Sequence, residues 1–219
     1  MTSNVPGSGR AMRVRGVRKM LAVGEFTIRQ IRTREDLDLA RRFLQRIFPS
    51  QEAGRPGPGV SGEQLARQSP VMLAARREGE IAGVALGQVD DGGLGTVDQL
   101  AVAADARGSG LGRRLLAALE AGALSLGARR LTLGSVDEAV GFYQRCGYRA
   151  RLLLQFVPPA RRDEIALLFD GYALLETQWQ DVPQLWVQTP GVDPALADRV
   201  RGRDGVYAQW VMDKELVVS

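Results

Sequence analysis

Histidine is absent from the 219-residue sequence, and cysteine occurs only once, at Cys146. Without histidine, the chain cannot build a histidine-based catalytic triad, a histidine general base or a histidine-ligated metal site, and no metal is predicted. A single cysteine excludes an intramolecular disulfide, which favours a reducing, cytoplasmic location. No apolar run approaches the roughly 18 residues that a membrane span needs, so no membrane association is predicted. Acid–base chemistry must use carboxylates, tyrosine, the thiol, backbone groups or water.

The net charge of +4 is unevenly distributed along the chain. Residues 1–24 contain five basic residues and no acidic one, so the remaining chain is close to neutral. A near-neutral globular part lacks the electrostatic footprint of a nucleic-acid-binding protein, and nucleic acid is not the expected partner. The basic tail is predicted to be a solvated, disordered extension, with nucleic-acid binding as its alternative. Met12 and Met20 are alternative starts, so the tail's place in the native protein stays open.

The most informative stretch runs from residue 96 to residue 123. Val97, Leu100 and Val102 indicate a strand, a glycine-rich turn follows at residues 107–112, and leucines then recur on one face of a helix. A turn of this kind aims several backbone N–H groups at one anion, and the helix N-terminus adds roughly half a positive charge. The stretch therefore predicts a phosphate-binding loop.

The spacing of the glycines distinguishes between the known types of phosphate-binding loop. No lysine follows them, which argues against a P-loop, and their spacing does not match the G-x-G-x-x-G dinucleotide fingerprint. Arg107, Gly110 and Gly112 fit R-x-x-G-x-G, which resembles the pyrophosphate loop of the GNAT acyltransferases. A plain glycine-rich surface turn is the alternative for the six residues alone.

A second motif follows in the order that this family has. Ala139, Tyr143 and the pair at 147–148 resemble the GNAT pattern A-x-x-x-Y-x-x-x-G-[FY]. The family's motif usually opens with asparagine, which this sequence lacks; Ser135 and Asp137 stand in that neighbourhood. Two motifs in the right order are more specific than either one, and together they identify the chain as resembling a GNAT N-acetyltransferase.

The resemblance implies an α/β fold, with a mixed, mostly antiparallel sheet flanked by helices. We expect residues 25–157 to form the acetyltransferase domain and residues 158–219 to form a small α+β appendage that includes the closing strand at 206–216. The Gly- and Pro-rich segment 50–62 is the candidate acceptor-binding rim, with a plain connector as the alternative. Tryptophans in the appendage suggest a homodimer surface or, as the alternative, buried core.

The resemblance also assigns roles in binding the cofactor, acetyl-CoA. The backbone of the central strand near Leu100 and Val102 would pair with the pantetheine arm, and Ser135 lies where the second motif contacts the cofactor. The predicted pyrophosphate loop consists of Arg107, Gly108, Ser109, Gly110, Leu111 and Gly112.

Two residues are candidates for proton transfer. Tyr143 stands where the family often keeps a general acid for the departing thiolate. Asp98 is the carboxylate nearest to the expected thioester and, by strict strand alternation, would share a face with Thr96 and Leu100. Relatives often carry a glutamate base two residues earlier, where Thr96 stands, so Asp98 or a water relay is the candidate base.

The predicted activity is acetyl-CoA-dependent N-acetylation of a small-molecule or peptide amine. We expect direct attack in a ternary complex, because the sequence offers no plausible acyl-enzyme nucleophile. A non-catalytic acyl-CoA-binding sensor is the alternative function.

Overall fold

The computed structural model describes residues 25–49, 61–189 and 193–217. The predictions for the tail at 1–24 and for most of the segment 50–62 lie outside the described residues. The helices of the described part are α1 (Arg34–Ile47), α2 (Gly62–Gln68), α3 (Leu111–Ser125), α4 (Asp137–Arg145), α5 (Arg162–Ala166) and α6 (Pro194–Asp198). Its strands are β1 (Thr27–Gln30), β2 (Met72–Arg77), β3 (Glu80–Val89), β4 (Leu94–Val102), β5 (Arg130–Ser135), β6 (Arg149–Phe156), β7 (Ala173–Trp179), β8 (Val182–Gln188) and β9 (Val206–Glu215).

The strands form one sheet in the order β1-β2-β3-β4-β5-β9-β6-β8-β7. Strands β4 and β5 run parallel because α3 crosses over between them, and the other neighbouring pairs are antiparallel. The α/β architecture predicted from the sequence is confirmed.

The strand expected at 206–216 is present as β9, inserted between β5 and β6. Strands β7 and β8 then extend the same sheet beyond β6. The appendage is therefore built onto the sheet, and the division of the chain at residue 157 stays a prediction.

Helices pack on both faces of the sheet. On one face, Leu115 and Leu119 of α3 are completely buried against the main apolar cluster. On the other face, Leu37 and Leu44 of α1 are buried in a second cluster. The amphipathic spacing of each helix places its apolar side on the sheet, and burial of this area supplies the main stabilisation.

Glycine at position 122 allows α3 to approach the short 3-10 turn Ser69–Val71. A Cβ atom at this position would lie 2.6 Å from the carbonyl carbon of Pro70, which is backbone and cannot swing aside. The close approach fixes the position of α3, and so of its N-terminus, against the sheet.

The three tryptophans have different environments. Trp210 on β9 is 1% exposed, which confirms the core interpretation for this residue. Trp186 on β8 is half-buried with the Arg151 guanidinium 4.6 Å from its ring centroid, and Trp179 on the edge strand β7 is 57% exposed. A homodimer stays a prediction.

Within the described ranges, no helix has the length and apolar character needed to cross a membrane.

Candidate active site

A cleft opens where β4 and β5 separate. The two strands pair only from Leu94 to Thr96 on β4, whereas β5 continues alongside β9 as far as Ser135. Among the described residues, β4 therefore pairs with no strand on the β5 side beyond Thr96. The gap holds a cavity of about 540 Å³.

The cleft is lined from both faces of the sheet. Ile47 and Phe48, at the end of α1, line it on one face. Phe142 and Tyr143 of α4 line it on the other. A ligand in this gap can therefore be reached from two opposite sides, which is a geometry suited to joining two substrates.

A β-bulge places Asp98 at the cleft. Leu86 of β3 lies opposite Gln99, and Gly87 lies opposite Val97, so Asp98 is the extra residue on β4. The Asp98 side chain lines the cleft, where the Gln88 amide nitrogen lies 3.5 Å from its Oδ1.

The bulge corrects the predicted side-chain alternation. Val97 and Leu100 both pack in the main apolar cluster with α3 although they are three positions apart, whereas residues an odd number of positions apart lie on opposite faces of a regular strand. Gln88 lies on the opposite face together with Leu86, so its contact puts Asp98 on the α1 face. Asp98 therefore does not share a face with Leu100, because the inserted residue resets the alternation between them.

Desolvation is the main influence on the Asp98 carboxyl. Its side chain is exposed, but it is exposed into the cleft, whose walls displace much of the surrounding water. This raises the pKa of Asp98 to about 6, an increase that the Gln88 amide opposes as a hydrogen-bond donor to the carboxylate. The group is ionised at pH 7 and is a stronger base than an ordinary aspartate.

The predicted phosphate loop lies between β4 and α3. Gly108 and Gly110 have φ values of 76° and 81°, which side chains rarely adopt, and Gly110 is the N-cap of α3. The Ser109 Oγ donates a hydrogen bond to the Ala106 carbonyl at 2.7 Å. Five backbone N–H groups make no hydrogen bond to other described residues, and they belong to Gly108, Ser109, Gly110, Gly112 and Arg113.

This arrangement is suited to an anion. Free N–H groups and the N-terminus of a four-turn helix supply partial positive charge, and Arg107 adds a full charge beside them. Arg107 and Gly112 also line the cleft, so the loop and the gap between β4 and β5 are continuous. The Leu111 side chain points into the core instead, 1% exposed, and anchors the helix.

Tyr143 is held at the opposite wall by aromatic neighbours. The side chain is 8% exposed, and its ring meets Phe142 and Tyr148 edge to face at centroid distances of 5.0 and 5.8 Å. Burial, with a smaller effect from Cys146, raises the pKa of Tyr143 to about 12. The phenol therefore keeps its proton throughout the physiological pH range.

The remaining predicted site residues also meet at the cleft. Leu100 and Val102 line it, as does Ser135, whose Oγ donates to the Val136 carbonyl at 2.9 Å. Sequence reasoning missed Glu138 and the α1 residues on the far wall. Glu138 lies on the same helix as the second motif, which could have revealed it, whereas nothing in the α1 sequence indicated that its end reaches the cleft.

Comparisons with known proteins agree with this geometry. Residues 37–148, about half of the chain, match the model of the acetyltransferase (GNAT) family. Blasticidin-S acetyltransferase of Streptomyces morookaense is 41% identical over 105 residues, which cover 42% of this chain and 76% of that protein. The crystal structure of a GNAT-family protein from Desulfovibrio desulfuricans has a TM-score of 0.50 and 19% identity, covering 88% of this chain and all of that one.

Proposed function

The chain belongs to the GNAT family of acetyltransferases, and we propose that it uses the cleft between β4 and β5 to transfer the acetyl group of acetyl-CoA to a small-molecule amine. N-acetyl transfer from acetyl-CoA is the activity of this family. The observation that carries the proposal is the continuity of an anion-binding loop with a cleft bearing a carboxylate on one face and a phenol on the other.

The loop at residues 107–112 is the proposed pyrophosphate site. Its unpaired N–H groups can donate to phosphate oxygens, and Arg107 supplies a compensating positive charge. Beyond the loop, the unpaired edge of β4 near Leu100 and Val102 offers backbone groups to the amide-bearing pantetheine arm. Ser135 contributes a hydroxyl at the far edge of the same cleft.

Asp98 is the proposed general base. An alkylammonium with a pKa near 10.4 is not a nucleophile at pH 7, so a proton must leave the nitrogen before or during attack. The Asp98 carboxylate can accept it, because a pKa of about 6 leaves it ionised at neutral pH while strengthening it as a base. Attack on the thioester carbonyl then forms the new C–N bond and displaces the thiolate directly.

Tyr143 is the proposed general acid. A phenol that remains protonated at neutral pH can donate its proton to a departing thiolate, whose conjugate thiol has a pKa near 8.5. Its place on the opposite face from Asp98 keeps the acid and the base on different sides of the reacting carbonyl.

A small-molecule acceptor is favoured over a peptide. The curated relative is named for acetylating blasticidin S, an antibiotic. A non-catalytic acyl-CoA sensor, the alternative considered from the sequence, has no support from that relative, which is an enzyme.

Calorimetric titration with acetyl-CoA tests the proposal. We expect micromolar binding, weakened about 100-fold by Gly110→Asp, because a carboxylate roughly 4 Å from a phosphate costs about 4 kcal/mol before screening by salt. Gly127→Asp is the matched control: Gly127 lies just past the other end of α3, with a φ of 85° and open space around its Cβ position. Absence of binding to the unmodified protein, or equal losses in the two variants, would contradict the proposal.

A further inference from the structure

A second cavity of about 620 Å³ adjoins the cleft. Ser135, Val136 and Glu138 line both spaces. Most of the remaining wall comes from residues 197–210, on α6, β9 and the turn between them, outside the matched family segment 37–148. Most of the wall of the second cavity is therefore built by residues outside the matched segment. Its volume lies in the range of small-molecule sites.

The second cavity has an open strand edge along one side. β5 ends at Ser135, opposite Trp210, whereas β9 continues from Trp210 back to Val206 with β6 as its partner. Within the part of the chain that the structure describes, residues 206–209 therefore have no strand partner on the β5 side, and the space beside them is reached from the end of β5. This geometry joins the cavity to the mouth of the cleft.

Trp210 in the cavity wall carries an unpaired donor. The residue is 1% exposed, and its Nε1–H has no hydrogen-bond partner in the described part of the chain. Buried donors are almost always paired in folded proteins, and an unpaired one is unfavourable. Because the Nε1 atom is itself fully buried, it lies behind the cavity surface, and the cavity wall at Trp210 is formed by other atoms of the residue.

Other polar groups of the wall are also unused. The side-chain amides of Gln155 and Gln209 make no hydrogen bond to other described residues. Gln209 lies across Gly134 of β5, where a Cβ atom would be 2.7 Å from its Cδ. The absence of a side chain at Gly134 thus leaves room for the Gln209 amide at the boundary between the two cavities.

The charges in the wall leave one carboxylate without a counter-ion. Arg201 pairs with both Asp137 at 2.6 Å and Asp198 at 2.9 Å, so each of these two carboxylates has a cationic partner. Glu138 makes no ion pair with the described residues, and it lies where the two cavities join. This position favours a cation on the ligand.

We propose that the second cavity holds the body of the acceptor, and that the acceptor is a small polar amine carrying a second cationic group that pairs with Glu138. The inference rests on the proposed function, because it assumes that an amine reaches Asp98 in the cleft. The side-chain amides of Gln155 and Gln209 form hydrogen bonds with polar groups of the same molecule.

The test compares two primary amines that differ in the second charge. Agmatine carries a guanidinium group four carbons from its amine, and n-pentylamine has no second charge. The measured quantity is the ratio of their kcat/KM values, from the rate of CoA release. We expect the unmodified protein to prefer agmatine by at least tenfold, and Glu138→Gln to remove most of that preference.

Ala208→Phe fills the second cavity and provides an independent variant. Ala208 is an exposed residue of β9 in the cavity wall, and we expect its replacement to lower the agmatine-to-pentylamine ratio at least fivefold. Ala173→Phe is the matched control, since Ala173 is an exposed alanine on β7 that lines neither cavity. The agmatine-to-pentylamine ratio of this variant should match that of the unmodified protein.

The possible outcomes separate this inference from the proposed function. Equal use of the two amines, or an Ala208→Phe ratio no lower than that of Ala173→Phe, overturns the inference and leaves acetyl transfer standing. Failure to acetylate agmatine also overturns it. Failure of the proposed function appears separately, as loss of acetyl-CoA binding in the calorimetric titration.

Discussion

Replacing Asp98 by asparagine tests the assignment of the general base. The substitution preserves the size of the side chain and a polar atom for the contact with Gln88, but it removes the proton acceptor. Positioned proton transfer typically contributes a factor of about 10² to 10⁴, so we expect kcat/KM at pH 8 to fall by that amount. Acetyl-CoA binding should change little, because the anion-binding loop is unaffected.

The raised pKa of Asp98 also predicts how the effect of this substitution depends on pH. A base works in its ionised form, so the contribution of Asp98 is gained as the pH rises through its pKa and is lost on acidification. With a pKa of about 6, roughly nine tenths of the carboxyl is ionised at pH 7 and roughly one tenth at pH 5. The advantage of the unmodified protein over the variant should therefore shrink about tenfold between these pH values. An ordinary aspartate would remain almost fully ionised at pH 5.

The assay is the initial rate of CoA release between pH 5 and pH 8 at saturating acetyl-CoA. Dividing kcat/KM of the unmodified protein by that of Asp98→Asn at each pH cancels the ionisation of the acceptor amine. Asp91→Asn serves as the control, because Asp91 is highly exposed on the turn before β4. A ratio that stays constant from pH 5 to pH 8, or a loss of less than tenfold at pH 8, would refute the reasoning.

Two further substitutions test the other wall of the cleft and the seating of α3. Tyr143→Phe should lower kcat about 100-fold, and an unchanged kcat in this variant would exclude Tyr143 as the general acid. Because the pKa of Tyr143 is about 12, the unmodified protein should lose no activity through ionisation of this phenol up to pH 10. Gly122→Ala should lower the unfolding free energy in urea by about 2 kcal/mol, because overpacking against the Pro70 carbonyl outweighs the roughly 1 kcal/mol gain in helix propensity. Gly141→Ala in α4, where the nearest atom to a Cβ is the Arg145 Nη1 at 3.4 Å, should be neutral or stabilising, and similar values for both variants would contradict this account.

The parts of the site that the sequence predicts depend on short-range patterns. The glycine spacing from Arg107 to Gly112 sets a local turn, and positive φ at two of those glycines requires no knowledge of the rest of the fold. Tyr143 belongs to the same kind of signal, because its helix and the turn at Gly147 lie within a few residues of it. The helix N-cap at Thr33, which accepts a hydrogen bond from the Asp36 N–H at 3.1 Å, is a signal of the same local kind, because the two residues are three positions apart.

The parts that sequence reasoning missed depend on pairing between distant segments. The bulge at Asp98 follows from the register of β4 against β3, and a regular alternation is the only pattern that the strand's own residues can suggest. The position of Gln209 over Gly134 requires β9 to be inserted beside β5, a neighbour relation between segments about 75 residues apart. Neither relation can be predicted from the local sequence of the segments involved.

The insertion of β9 in the middle of the sheet has a consequence for synthesis on the ribosome. Strands β1 to β5 can pair with one another as they emerge, because each is adjacent in the sheet to the strand made just before it. Strands β6, β7 and β8 can form only a separate three-stranded unit, since β9 is the piece that joins β6 to β5. Until residue 215 has left the exit tunnel, two half-sheets with unpaired edges coexist on one nascent chain. A pause in translation after β8 has emerged would prolong that state, and the second cavity would gain its β9 wall only in the last step of folding.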